Sequence, residues 1–254
     1  MPGSISDIRL LLKVNSLPKA ANARCVFITG GTGYLGGSLI PVLVERGHRV
    51  RALIRPGSKG VLPPGCEVVS GNALDAHTYK HLIRPADTFV HLVGVPNPSP
   101  SKGAEFRKVD LVSGREAITA ASDLGIPHFV YLSVAHPAPM MKDYIAVRTE
   151  CEGLIQERAL NATVLRPWYV LGPEHCWPYL LLPLYKLAEW LPFTREAARR
   201  LGLVTLRQMV LALAAAVEAP VQGTRIVGVP EIRAAHLNLP SEVTRKAQTT
   251  DYVK

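Results

Sequence analysis

From Arg24 onward the chain alternates short β-branched or aromatic runs with stretches where apolar side chains recur every three or four positions. Cys25–Thr29 (CVFIT) is apolar almost throughout and too short for a helix, so it predicts a strand. Tyr34–Arg46 carries Leu35, Leu39, Val42 and Leu43 on one helical face. Arg49–Ile54, Glu67–Val69 and Thr88–Val93 predict the next three strands. Glu105–Leu124 has helical spacing, ended by Gly125-Ile126-Pro127, and His128–Ser133 follows as a fifth strand. Asp143–Ala159 predicts another helix and Thr163–Leu165 another strand. Buried-looking strands separated by helical crossovers predict a doubly wound α/β fold with a parallel sheet covered on both faces.

After Arg166-Pro167 the alternation weakens. Thr205–Val217 predicts a helix with Thr205 and Gln208 as a capping pair, and Gly223–Val229 a last short strand. Proline-rich joints at Pro96–Pro100 and His136–Pro139 follow strands, where ligand loops belong in such a fold. There is no internal repeat and no second domain. Residues 1–23 read as an N-terminal extension, 24–236 as one domain with a small, mostly helical lid or substrate part at 173–236, and 237–254 as a polar tail.

The 254 residues, 48% of them hydrophobic, suffice for one well-filled core. Lys and Arg number 29 against 20 Asp and Glu, a net charge of +9 that can attract an anionic ligand. The arginines are scattered without a block of like charge, so no nucleic-acid-binding arm is expected. The 4 cysteines are irregularly spaced with no C-x-x-C, and the histidines are not clustered. Neither a disulfide framework nor a metal site is expected, and a reducing, cytoplasmic compartment is the default. Leu10–Leu12 is too short for a secretory core. The apolar segment Trp177–Phe193 is broken by Lys186, Glu189 and prolines, and falls short of the ~20 apolar residues of a membrane span. It is expected to line a pocket, to touch a partner protein or second copy, or to anchor at a membrane surface.

Gly30-x-x-Gly33-x-x-Gly36 lies directly between the first strand and the first helix. That context marks a dinucleotide fingerprint. One glycine permits the turn, another lets the backbone approach a pyrophosphate, and the third allows close helix–strand packing. The helix N-terminus adds free N–H groups and a positive dipole end. No Gly-Lys-Ser/Thr follows, which excludes a P-loop. Arg55 stands about twenty residues further on, where an acid would hold the ribose hydroxyls of NAD and an arginine can pair a 2′-phosphate. NADP(H) is therefore expected over NAD(H), with Ser58 and Lys59 as further donors; a solvated loop arginine is the alternative reading.

In order along the chain, TGGTGYLGG, GNALD, VHLVG, FVYLSV, a tyrosine-led helix and VLRPWYVLGP resemble the short-chain dehydrogenase/reductase superfamily. The glycine spacing is similar to its extended and atypical branches, which include NAD-dependent epimerase/dehydratase-like and NmrA-like proteins. The resemblance covers about residues 24–173 and implies a Rossmann-type fold with a nicotinamide cofactor. It implies contacts to that cofactor from Gly30, Thr32, Gly33, Tyr34, Leu35 and Gly36, from Arg55, from Asn72 and Ala73 near the adenine, and from Val93 and Gly94 near the nicotinamide. His91 reads as a core histidine.

Active members of the superfamily use serine, tyrosine and lysine, the last two as Tyr-x-x-x-Lys on one helical face. The corresponding residues here are Ser133, Tyr144 and Arg148, so an arginine takes the lysine position. Tyr144 would be the general acid or base, Ser133 would orient the substrate oxygen, and Arg148 would clamp the ribose and tune the phenol, whose ordinary pKa is ~10. A planar guanidinium does not simply replace an ammonium. The plainer reading packs the Tyr144 ring on its helix and makes Arg148 a surface cation or a partner for Glu152. Neighbouring His175 and Cys176 do not make a productive nucleophile pair.

Three functions follow from the resemblance. The first is an NADP(H)-dependent oxidoreductase acting on a small, apolar carbonyl, alcohol or quinone-like substrate. The second is a non-catalytic NAD(P)H-binding sensor or accessory subunit, NmrA-like or of the respiratory complex I kind. The third, a nucleotide-sugar epimerase or dehydratase, fits less well because little chain remains for a substrate domain.

Overall fold

The computed structural model describes residues 18–58, 60–138, 140–171 and 200–235. The expectations for the N-terminal extension up to residue 17, Lys59, the apolar 177–193 segment, most of the lid and the polar tail lie outside them. Nine strands are present among the described residues: β1 (Cys25–Thr29), β2 (Arg49–Ile54), β3 (Cys66–Ser70), β4 (Thr88–His91), β5 (His128–Leu132), β6 (Ala162–Leu165), β7 (Tyr169–Leu171), β8 (Leu203–Thr205) and β9 (Thr224–Val227). Seven of them form one parallel sheet in the order β3-β2-β1-β4-β5-β6-β9. This is the doubly wound Rossmann-type arrangement, with its strand order reversing between β1 and β4.

The sheet is buried on both faces because its strands alternate apolar side chains to either side. Val26, Ile28, Val50, Val90 and Val130 face α1 (Tyr34–Glu45) and α5 (Leu206–Glu218) through Leu39, Leu43, Met209 and Leu213. Phe27, Phe89, Phe129 and Tyr131 face the other way, toward Ile118 and Ala121 of α3 (residues 103–123) and Val147 and Ile155 of α4 (Lys142–Glu157). Phe27, Phe89 and Phe129 are register partners on adjacent strands, with ring centroids 5.2 and 5.4 Å apart and edge-on.

The strands β1 and β2 have the ends expected from their apolar runs, and the Thr205–Gln208 pair forms a full capping box on α5. Two elements differ. β4 stops at His91, short of Val93, because the chain beyond it leaves the ladder and presses its Leu92–Val93 peptide against Gly30. α3 is not uniform: Phe106–Leu111, between Gly103–Glu105 and Val112–Asp123, is a π-helical turn. The short parallel pair β7–β8 was not anticipated, since three-residue strands carry no measurable period. Among the described residues no helix is long and apolar enough to cross a membrane, and no group of three or more His, Cys, Asp or Glu could hold a metal ion.

The end of the sheet away from the glycines is closed by a buried ion pair. Arg46, at the C-cap of α1 and 1% exposed, grips both carboxylate oxygens of Glu218, the last residue of α5. His48 accepts from the Arg24 N–H through Nδ1 (3.0 Å), which leaves Nε2 to donate to Glu218 (3.3 Å). Burial alone would raise the Glu218 carboxyl, but the hydrogen bonds from His48 and Arg46 outweigh it and hold the group below its ordinary range. The stabilisation is therefore complete above the ordinary carboxylate pKa of about 4.3 and is lost as pH falls through the lowered folded value. In urea unfolding, Glu218→Gln should be less stable than wild type by about 1–3 kcal/mol at pH 7. The gap should close toward pH 3, and a gap equal at both pH values would contradict this account.

Candidate functional site

The reversal of strand order opens a crevice at the C-terminal ends of β1 and β4. The glycine turn is built into it. Gly30 has φ +80°, and a β-carbon there would lie 2.8 Å from the Leu92 carbonyl carbon and 2.9 Å from the Val93 nitrogen. A side chain at Gly36 would collide with the Gly30 carbonyl, so α1 can seat against β1 only with glycine there. Gly33 is the N-cap of α1. It supplies no side-chain cap, and no acidic residue occupies the first turn. The dipole end of a 12-residue helix thus faces the crevice with no side-chain cap or acid set against it.

A cleft of about 310 Å3 runs from this turn to α4. Gly30, Gly33, Tyr34, Leu35, Gly36, Gly94, Ser133, Tyr144 and Arg148 all line it, so the structure brings together most of the residues singled out in the sequence. Thr32, Arg55, Asn72, Ala73 and Val93 are not part of its lining. Arg55 is exposed just beyond β2, and its loop folds over the glycine turn, where Gly60 stacks on the Thr32 side chain. Asn72 uses its side-chain oxygen to hold the Leu74 N–H (3.1 Å) in the turn after β3. Val93 contributes its backbone, as the neighbour of Gly30 and as an acceptor for Arg148 at 3.5 Å.

Arg148 is 2% exposed and is not paired with Glu152. Its guanidinium passes beneath Gly94, where a β-carbon would sit 2.6 Å from Nη2. It donates to Asp110 and to the Leu132 carbonyl (2.8 Å), and lies over the rings of Tyr144 (5.1 Å) and Tyr131 (5.7 Å). Asp110 is fully buried on the π-helical turn and also accepts from the Val95 N–H at 3.0 Å. Burial pushes this carboxyl up, against the pull of the Arg148 guanidinium and the Val95 N–H. The Tyr144 ring is held between Arg148 and Phe106, whose centroid is 4.9 Å away.

Ser133 follows directly on β5, which stops one residue short of it, and donates its hydroxyl proton to Glu152, one turn beyond Arg148 on α4. Glu152 is also gripped by Arg166 through Nε (3.1 Å) and Nη2. His91 is a buried core residue: Thr29 Oγ1 lies 2.8 Å from Nδ1 and the ring stacks on Tyr131. Burial, helped by the Arg148 charge, lowers its pKa to about 3, so it is neutral.

Sequence reasoning placed a ligand loop at Pro96–Pro100, which lends Pro96 and Pro98 to the cleft, but missed Asp110, Glu152 as the partner of Ser133, and Trp168 and Val170 on the same apolar wall. The available signal for Asp110 was a single acid between Val109 and Leu111.

A family model described as the NmrA-like family matches residues 22–150, half of the chain. A ceramide reductase of Caulobacter vibrioides is 28% identical over 207 residues, covering 80% of this chain and 64% of that protein. The 4-hydroxy-2-methyl-3-oxo-4-farnesyl-3,4-dihydroquinoline-1-oxide ketoreductase of Stigmatella aurantiaca is 26% identical over 170 residues, covering 58% of this chain and 51% of that protein. The chain thus spans less than two thirds of the length of either relative. Among solved structures, the Bordetella bronchiseptica enzyme WbmH in complex with NAD+ superposes with a TM-score of 0.61 at 21% identity, covering 92% of this chain and 85% of that one. The UDP-glucose 4-epimerase of Thermus thermophilus in complex with NAD gives 0.56 at 19% identity, covering 82% and 81%. At such identities the likeness is one of fold.

The buried pair can be tested by itself. Asp110→Ala leaves a desolvated guanidinium without its counter-charge and should cost about 3–5 kcal/mol in urea unfolding. The double variant Asp110→Leu with Arg148→Met, which removes both charges, should lose less than Asp110→Ala alone. A single variant as stable as wild type would show that the pair carries little.

Proposed function

The chain belongs to the NmrA-like family, and from that premise we propose that it is an oxidoreductase using a nicotinamide dinucleotide, NADP(H) in preference to NAD(H), on an apolar carbonyl or alcohol. The observation that carries the reading is the single cleft whose walls include both the glycine turn and Tyr144. The residues fit the cofactor: a side-chain-free cradle at Gly30 and Gly33, an uncapped helix N-terminus for the diphosphate, and an exposed Arg55 beside the turn for a 2′-phosphate. The names of the two relatives, a reductase and a ketoreductase, and the NAD held by the two structural neighbours support the same class.

In this reading the bound nicotinamide supplies or accepts the hydride. Tyr144 gives a proton to the substrate oxygen in reduction and takes it back in oxidation. Arg148 does not reach outward as a ribose clamp; it stays behind the ring, fixes its position and places a permanent positive charge beneath it. Ser133, its own proton given to Glu152, offers the cleft an acceptor for a substrate hydroxyl. The proline, tryptophan and valine wall excludes water and favours an apolar substrate over a nucleotide sugar.

A second reading is favoured by one observation: the groups standing where the superfamily keeps its lysine and serine are both committed to internal carboxylates. It makes the protein a nucleotide-binding sensor without turnover. The two readings separate in an assay of NADPH oxidation across a panel of ketones and quinones. Turnover that falls at least a hundredfold in Tyr144→Phe supports the enzyme; NADPH binding with no turnover on any substrate supports the sensor. In calorimetry, Arg55→Ala should weaken NADPH roughly tenfold or more, the loss of a charge-assisted contact to phosphate, and leave NADH nearly unchanged. Equal loss for both coenzymes would remove Arg55 from the phosphate site.

A further inference from the structure

A second cavity shares Tyr144 with the cleft. It has a volume of about 280 Å3 and is lined by Pro100, Phe106, Met140, Met141 and Tyr144, together with Lys142 and Asp143. The two cavities also share a wall in sequence: Pro96, Asn97 and Pro98 line the first, and Pro100 of the same loop lines the second. Tyr144 and the 96–100 loop therefore border both cavities.

The cavity is built rather than incidental. Phe106 is fully buried against the Tyr144 ring. The Asp143 carboxylate occupies the space over Gly103, where a β-carbon would lie 2.5 Å from it, and so locks the first turn of α4 to the start of α3. Met141 is the N-cap of α4, held at φ 62° in the left-handed region that a long side chain seldom adopts, with no capping hydrogen bond in return. Beside it Met140 leaves 57% of its surface in solvent. Two adjacent methionines, one in an unfavourable backbone conformation and one with its apolar surface in water, are better explained by a ligand than by the fold. Their unbranched, polarisable side chains mould themselves to flexible hydrocarbon.

We infer that this methionine-walled cavity receives the alkyl chain of the substrate whose carbonyl or hydroxyl is presented to Tyr144, so that the substrate is an oxygenated lipid-like chain and not a compact polar molecule. The inference rests on the reading of Tyr144 given above. Chain length then sets affinity, and the chain and the cofactor occupy separate parts of one surface.

The test uses hexan-2-one, octan-2-one and decan-2-one as probes. Their dissociation constants are measured by ligand-observed NMR on the free protein and on the protein saturated with NADPH. Each added methylene should tighten binding about two- to fourfold, the upper figure corresponding to about 0.8 kcal/mol per buried methylene. Met140→Glu should flatten this dependence. Val68→Glu, which puts the same charge on the outer strand β3 at another exposed apolar position, should leave it in place. A chain-length dependence that survives Met140→Glu undiminished, or that is absent from wild type, overturns the inference. Wild-type protein that binds neither NADPH nor NADH overturns the oxidoreductase reading instead, and the ketone series on the free protein still decides the fate of the cavity.

Discussion

A guanidinium taken out of water must find charge and acceptors inside the protein or the chain will not close over it. Arg148 meets that requirement by reaching into four elements at once. It meets the carboxylate of Asp110 on α3, the Val93 carbonyl in the segment after β4, the Leu132 carbonyl at the end of β5, and aromatic rings from β5 and its own helix. The position of α4 against the sheet, and with it the position of Tyr144, follows from satisfying one buried cation. Gly94 belongs to the same constraint: its missing side chain is the room through which the guanidinium passes. The features that define the cleft on its α4 side are thus consequences of a charge that had to be neutralised.

The opposite side of the cleft depends on steric exclusion, not charge. Gly30 lies so close to the Leu92–Val93 peptide, and Gly36 so close to the Gly30 carbonyl, that no other residue fits at either position. This is why the cradle was legible in the sequence. A requirement for glycine at fixed spacing between a strand and a helix is local and leaves a residue pattern, as do the apolar runs of β1 and β2 and the Thr205–Gln208 cap. The α4 side was legible only in part. Tyr144, Ser133 and Arg148 could be placed near one another from the resemblance, but their partners could not. Helical spacing pointed Arg148 at Glu152, four residues on; the fold instead gives Arg148 to Asp110, and Glu152 to Ser133 and Arg166. A lone acid on a helix ordinarily reads as a solvated surface residue, and nothing within α3 itself says that Asp110 will be buried.

That exchange of partners changes what the arginine substitution means. With lysine, the cation at this position would be a mobile point charge on a flexible stem. The arginine is a fixed plate behind the tyrosine ring, held by the acceptors Asp110, Leu132 and Val93, and the hydroxyl of Ser133 is likewise oriented from behind. The polar groups of the cleft are therefore fixed by the protein interior, and they offer the cleft Tyr144 and the lone pairs of Ser133 rather than a free charge.

The π-helical turn of α3 has a further implication. In a regular helix each residue advances the side-chain direction by about 100°, so the extra residue taken up by the wide turn at Phe106–Leu111 sets the phase between Phe106, which faces the tyrosine, and the later residues Ile118 and Ala121, which face the sheet. Losing a single residue from that stretch would restore ordinary winding and swing one end or the other off its mark. The local sequence can drift by replacement with modest effect at most positions, whereas its length is fixed by a contact made on another helix.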